Sequence, residues 1–264
     1  MQREPTPQDP EQREPLVLVL TPVKDSADCV DRYCQLLDSL TYPRERISVG
    51  LLEGDSRDGS FDALERSLPR LRRNRRRVGL WKRDFGFHLP EGVPRWASAF
   101  QIARRTVISK SRNHLLFHAL DDEDWVLWID VDVIDYPPDV IERFLATGRD
   151  IVHPHCLKEH RDETFDLNAW RDRGRLNLGD LAGEGDLVRL DAVGGTMLWV
   201  RADLHRDGLV FPSFTYGAAS PVVRDPNPWG TTGELDTEGL GAMARDMGHQ
   251  CWGMPGLVIR HRNR

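Results

Sequence analysis

Trp125-Val126-Leu127-Trp128-Ile129-Asp130-Val131-Asp132 decides how this chain is read. Five apolar residues lead into two carboxylates spaced by one residue. The apolar run has the length of a buried strand and is far shorter than the roughly 20 residues of a membrane helix. Side chains alternate along a strand, so Asp130 and Asp132 are expected on one face. Two carboxylates on one face repel unless a cation lies between them. Mg²⁺ or Mn²⁺ fills that role with one or two carboxylates and the phosphates of a substrate. An acidic strand end facing water accounts for these residues equally well, and the rest of the chain must separate the two.

Working outward, Leu16 to Leu20 is a continuous apolar run of the kind buried on both faces of an α/β sheet. Cys29, Val30, Tyr33, Leu36, Leu37 and Leu40 recur at helical spacing, and this helix should stop before Tyr42-Pro43. Ile47 to Leu52 is a second strand, running into the acidic turn Glu53-Gly54-Asp55-Ser56. A helix over Phe61–Leu71 and a strand over Val78–Trp81 follow. Trp96, Phe100, Ala103 and Val107 mark a helix extending to Leu120, just before the central strand. Pro137-Pro138 opens another helix, with Gly148 at its C′ position. Ile151 to His155 ends a strand, and Thr196 to Val200 and Leu257 to His261 are further apolar segments. A last helix places Leu240, Met243 and Met247 inward, with Asp236 or Thr237 as a natural N-cap. The charged stretch 157–187 reads as an active-site excursion or acceptor loop, and 212–233 as a mobile loop.

Strands alternating with helices predict an α/β fold with a mainly parallel central sheet flanked by helices. Ligands then bind beyond the C-terminal strand ends. One domain is expected over 16–264, with a nucleotide-binding half (16–135) and a sugar and acceptor half (136–264). Residues 1–15 are polar and proline-rich and read as a disordered tail. A net charge of −6 argues against a nucleic-acid partner. The arginines between 70 and 77 read best as a solvated helix end. Four scattered cysteines form no disulfide framework and suit a reducing compartment. With no signal peptide and no membrane span, a soluble cytoplasmic protein is expected.

The first loop reads Thr21-Pro22-Val23-Lys24-Asp25-Ser26, where a dinucleotide enzyme would carry GxGxxG. The chain has no P-loop, GxSxG or HExxH. His153, His155, Cys156 and His160 match no common zinc spacing. An α/β sheet with acidic loops at one edge and a D-x-D resembles a GT-A (Rossmann-like) glycosyltransferase. Seven blocks are similar, in order, to the fungal mannan-polymerase mannosyltransferases of glycosyltransferase family 62 (Anp1-like). They are 18–25, 40–52, 111–117, 125–141, 190–212, 236–248 and 253–261, of which 125–141 and 190–212 are the most specific. Fungal members carry a membrane anchor, so a soluble bacterial-type relative is expected.

The resemblance implies a metal-dependent retaining mannosyltransferase with GDP-mannose as donor, Mn²⁺ (or Mg²⁺) as metal, and a hydroxyl acceptor. It implies Asp130, Asp132 and His261 as metal ligands. Thr21, Pro22, Asp25, Glu53 and Asp55 would surround the nucleoside, Asp130 doubling as a ribose contact. Arg112 would offset diphosphate charge, or be a surface helix arginine. Gly194 and Gly195 would line the sugar, where glycine allows close backbone approach. Asp191, Asp236 and Glu238 are the expected catalytic carboxylates, with simple N-capping the other reading of Asp236. Asn113 would brace the D-x-D loop. No covalent nucleophile identifies itself, which suggests front-face transfer with the donor phosphate as base. A metal-dependent sugar nucleotidyltransferase, a non-catalytic nucleotide-sugar-binding module and a homo-oligomer remain open.

Overall fold

The structure is a computed structural model that describes residues 13–263. The tail expected over 1–15 lies outside the described residues except for its last three. Strand β1 (Val17–Val23) lies between β2 (Ile47–Glu53) and β4 (Trp125–Ile129), and β3 (Arg77–Lys82) flanks β2; all four are parallel. The apolar runs are continuous because both sheet faces are covered. Val17 and Val19 of β1 and Leu127 and Ile129 of β4 enter one core, while Leu18, Leu20, Val126 and Trp128 enter the other.

Helices α1 (Val30–Ser39), α2 (Ser60–Leu71) and α4 (Val140–Ala146) cover the first face, contributing Tyr33, Leu64 and Phe144 to its core. The second face is covered by α3 (Ser98–Ala119) through Leu115, Leu116 and Ala119 and by α6 (Asp236–Asp246) through Leu240 and Ala244. The short helix α5 (Ala202–Arg206) adds Leu204 there. No helix of the described residues is long and apolar enough to cross a membrane.

Beyond β4 the sheet departs from the mainly parallel expectation and is mixed. β10 (Met197–Arg201) lies antiparallel between β4 and β6 (Ile151–Lys158). β11 (Cys251–His261) runs parallel to β6 and pairs antiparallel with β5 (Val133–Asp135) and β9 (Val188–Leu190). A strand apolar on both faces has the same periodicity in either direction, so its pattern carries no information about polarity.

The stretch 157–187 is folded. It completes β6, forms the hairpin β7 (Trp170–Arg171)–β8 (Leu176–Asn177), and ends in a 3₁₀ turn over Leu178–Glu184 capped reciprocally by Asn177 and Asp180. The segment 212–233, expected to be mobile, is tied by a two-way backbone bridge between Tyr216 and Glu234 and by Arg224, 2.6 Å from Glu234. The arginine run is not a merely solvated helix end. Arg70 and Arg75 pair with Asp38, Arg76 pairs with Asp122, and Arg76 and Arg77 pair with the buried Glu123.

Candidate active site

Strand β4 ends at Ile129, so Asp130 and Asp132 do not share a strand face as expected. The chain turns there instead, with the Val133 amide donating to the Asp130 carbonyl at 3.1 Å. The turn still converges the two carboxylates with His261, the last residue of β11: ligand atoms of all three lie within 4.8 Å of one another. β5 makes this possible by pairing Val133 with His261 across the antiparallel ladder. His261 Nε2 is 3.0 Å from Asp132 Oδ1, and its Nδ1–H donates to the Arg262 carbonyl at 2.7 Å. Phe165 stacks on the imidazole at 3.9 Å between ring centroids.

Burial drives the Asp130 carboxyl up to about 6; Arg112 opposes this and Asp132 reinforces it. Burial by itself would lower His261, but its hydrogen bond to Asp132 and the charges of Asp132 and Asp130 outweigh burial and raise it. Two crowded carboxylates and an imidazole whose Nδ1 is already engaged form a donor set suited to a divalent cation. Among the described residues, no other group of His, Cys, Asp and Glu gathers in this way.

The D-V-D turn, Asp130 to Asp132, lines a cleft of about 360 Å³. Pro22, Asp25 and Asp55 line it from the loops after β1 and β2, and Arg112 lines it from α3. Thr21 and Glu53 do not. Thr21 is buried, with its hydroxyl 2.8 Å from that of Tyr33, and Glu53 accepts from the Ser56 amide at 3.0 Å. Strand alternation sends both side chains into packed surroundings instead. Asp55 is largely committed to the chain as well. It accepts from the Phe85 and Gly86 amides at 3.0 and 2.8 Å, and these bonds hold its carboxyl below the usual range although burial opposes them. Asp25 accepts from the Arg57 amide at 2.8 Å.

Arg112 is not a surface arginine. Its Nη1 donates to both oxygens of Asp236 at 2.6 and 2.7 Å, and its Nη2 lies 3.3 Å from the Gly195 carbonyl and 3.6 Å from Asp130. Its guanidinium stacks over Phe211. Asp236 is therefore no N-cap: Leu235 holds that position, and Asp236 opens α6 with φ of +56° and its side chain turned to Arg112. Asn113 braces Phe211 rather than the D-x-D loop, donating to its carbonyl at 2.7 Å and accepting from its amide at 2.9 Å.

The two glycines of Val193-Gly194-Gly195 are needed for close approach by this chain's own side chains. A Cβ on Gly194 would meet Asp166 Oδ2 at 2.0 Å, and one on Gly195 would meet Arg112 Nη2 at 2.3 Å. Neither glycine lines the cleft. Glu238 is also sealed, held by Arg105, by Arg224 at 2.5 Å and by the Trp170 indole at 3.1 Å. Asp191 accepts from the Asp172 amide at 2.9 Å and is 3.8 Å from Arg245.

The Anp1 family model matches residues 1–181 and 177–215. The chain belongs to the Anp1 family. It is 26% identical over 93% of its length to a mannan polymerase II complex anp1 subunit of Schizosaccharomyces pombe, spanning 63% of that relative. It is 26% identical over 97% of its length to the mannan polymerase complex subunit mnn9 of the same yeast, spanning 82% of it. Among solved structures, it resembles the mannosyltransferase PcManGT from Pyrobaculum calidifontis in complex with GDP-Man and Mn²⁺. The TM-score is 0.57 at 16% identity, covering 95% of this chain and 57% of that one. S. aureus TarS 1–349 in complex with UDP-GlcNAc gives a TM-score of 0.55 at 13% identity, covering 94% and 59%. These likenesses establish the GT-A fold.

In this Anp1-family chain, two site residues escape sequence reading. Asp166 lies in the aperiodic excursion. Burial works against its charge, yet it stays far below the ordinary carboxylate range because His153 lies 3.4 Å away and the Gly195 amide, the Thr196 amide and the Thr196 hydroxyl donate to it at 2.9, 3.1 and 3.0 Å. It thereby fixes the segment whose Thr196 carbonyl accepts from the Asp130 amide at 2.9 Å. Arg104 lines the cleft two helical turns before Arg112. Only the eight-residue spacing between these arginines on one helix hinted at a shared face.

Proposed function

We propose that this chain is a metal-dependent glycosyltransferase that transfers mannose from GDP-mannose, with retention, to a hydroxyl acceptor. The observation that carries the reading is the convergence of Asp130, Asp132 and His261 within 4.8 Å, with Asp130 and Asp132 lining the cleft. Bound there, Mn²⁺ or Mg²⁺ supplies positive charge against the diphosphate leaving group. Asp130 and Asp132 hold it through carboxylate oxygens. The hydrogen bond from Nδ1–H to the Arg262 carbonyl fixes His261 in the tautomer that presents Nε2. Pro22, Asp25 and Asp55, which line the same cleft from the loops after β1 and β2, take the nucleoside.

Of the three carboxylates expected at the sugar, Asp236 and Glu238 are committed to arginines. Asp191 is left as the candidate for contacting the sugar or acceptor. With Asp236 and Glu238 so engaged, front-face transfer, in which the departing phosphate takes the acceptor proton, is favoured over a covalent intermediate. A mannosyl adduct trapped on Asp191 or Asp236 would overturn that choice.

Thermal shift with GDP, UDP, ADP and CDP, each with and without Mn²⁺, tests the donor. A ligand at 100 times its Kd adds about 2.7 kcal/mol, which such a shift resolves. The expected result is a Mn²⁺-dependent GDP shift that Asp132→Ala removes, followed by GDP release from GDP-mannose with a mannoside acceptor. The resemblance to a UDP-GlcNAc complex makes UDP the informative competitor. A shift with UDP alone would overturn the mannosyl reading.

A further inference from the structure

Arg112 was the natural candidate for the diphosphate, but its donors are already engaged by Asp236, by the Gly195 carbonyl and by the Asp130 charge. A second guanidinium lies on the same wall. Arg104, Ile108, Ser111 and Arg112 all line the cleft from α3, the spacing of one helix face. Among the described residues, Arg104 makes no hydrogen bond or ion pair with any carboxylate or carbonyl. Burial and the neighbouring Arg95 charge bring it down to about 10, while Asp236 and Asp130 offset part of that. Arg95 is itself 3.9 Å from Asp132. A partly buried cation with no partner, close to another cation, is costly in the empty protein. The arrangement becomes favourable once an anion enters.

We propose that Arg104 is the diphosphate-binding arginine of this site, and that Arg112 is a positioning residue holding α6 and the 194–196 segment against the D-V-D turn. The inference rests on the donor reading above and assigns the phosphate contact within it. The planar fork of Arg104 suits two phosphate oxygens, and Arg104 lines the same cleft as Asp130 and Asp132. An unpaired cation waiting in a cleft trades stability of the empty protein for ligand binding.

The test uses the full chain, with GDP as probe in the presence of Mn²⁺, and calorimetric titration of wild type, Arg104→Gln and Arg104→Lys. Arg104→Gln should weaken GDP by about 10- to 100-fold, the scale of a charge-assisted hydrogen bond. Arg104→Lys should recover part of that loss. The melting temperature of ligand-free Arg104→Gln should equal or exceed that of wild type, since no partner is lost, and its GDP affinity should depend less steeply on salt. Unchanged GDP affinity in Arg104→Gln overturns the assignment. So does weaker affinity that comes with a lower ligand-free melting temperature and no recovery by lysine. If wild type binds none of the four nucleoside diphosphates, the donor reading itself fails, which is distinguishable from the failure of Arg104 alone.

Discussion

Arg112 Nη1 reaches both carboxylate oxygens of Asp236, at 2.6 and 2.7 Å, across 124 residues of sequence. The pair joins the middle of α3 to the first residue of α6, and both side chains are under a tenth exposed. Removing one member leaves the other charged and buried. Asp236→Ala should therefore lower the unfolding free energy by about 3–5 kcal/mol in urea denaturation. An effect on turnover with unchanged stability would instead return Asp236 to direct catalysis.

The D-V-D turn and the end of β11 meet only in the folded chain, so loss of His261 should be felt at the metal. His261→Ala is expected to weaken Mn²⁺ by at least about tenfold, since even residues that only orient metal ligands carry effects of that size. Titration followed by the paramagnetic resonance of free Mn²⁺ measures this directly. Chelation of wild type with EDTA should remove the Mn²⁺-dependent part of the nucleotide shift and leave the ligand-free melting temperature unchanged.

Gly194 faces the Asp166 carboxylate, and five donors or charges hold that carboxylate in place. It cannot retreat from an added methyl group. Gly194→Ala should cost about 1–3 kcal/mol, the range of overpacked cores. Gly256→Ala, where an added Cβ has nothing within 4 Å, is the matched control and should be near neutral. Equal melting temperatures for the two variants would contradict the packing argument.

His205 makes the fold sensitive to acid. Its Nδ1–H donates to the Leu209 carbonyl at 2.6 Å, and its Nε2 accepts from the Trp128 indole at 3.4 Å, so only the neutral ring satisfies both. Burial lowers it to about 4, with the hydrogen bond to Leu209 opposing. A base whose folded value is depressed contributes fully above its unfolded value of about 6.5, and that contribution is lost as the pH falls toward 4. At about 1.4 kcal/mol per unit, the loss approaches 3 kcal/mol. Denaturant midpoints measured between pH 7.5 and 4.5 should fall for wild type, and His205→Gln should flatten that slope.

What the chain determined locally is legible in its order of residues. β1 and β4 had to be buried strands because five-residue apolar runs cannot face water, and the turn residues after them had to lie at one sheet edge. The helices followed from 3.6-residue periodicity, and the D-V-D pair from its place at the end of the central strand. Tertiary structure alone decided the rest. The antiparallel direction of β10 was not legible in the sequence, because direction leaves no mark in a strand apolar on both faces. Asp236 and Glu238 look like helix-start carboxylates, and only the approach of Arg112, Arg105 and Arg224 commits them to ion pairs. Asp166 comes from an aperiodic excursion, yet folding brings it against Gly194. Periodicity and propensity act over a few residues, whereas the partner of a buried charge is selected by packing across the whole chain.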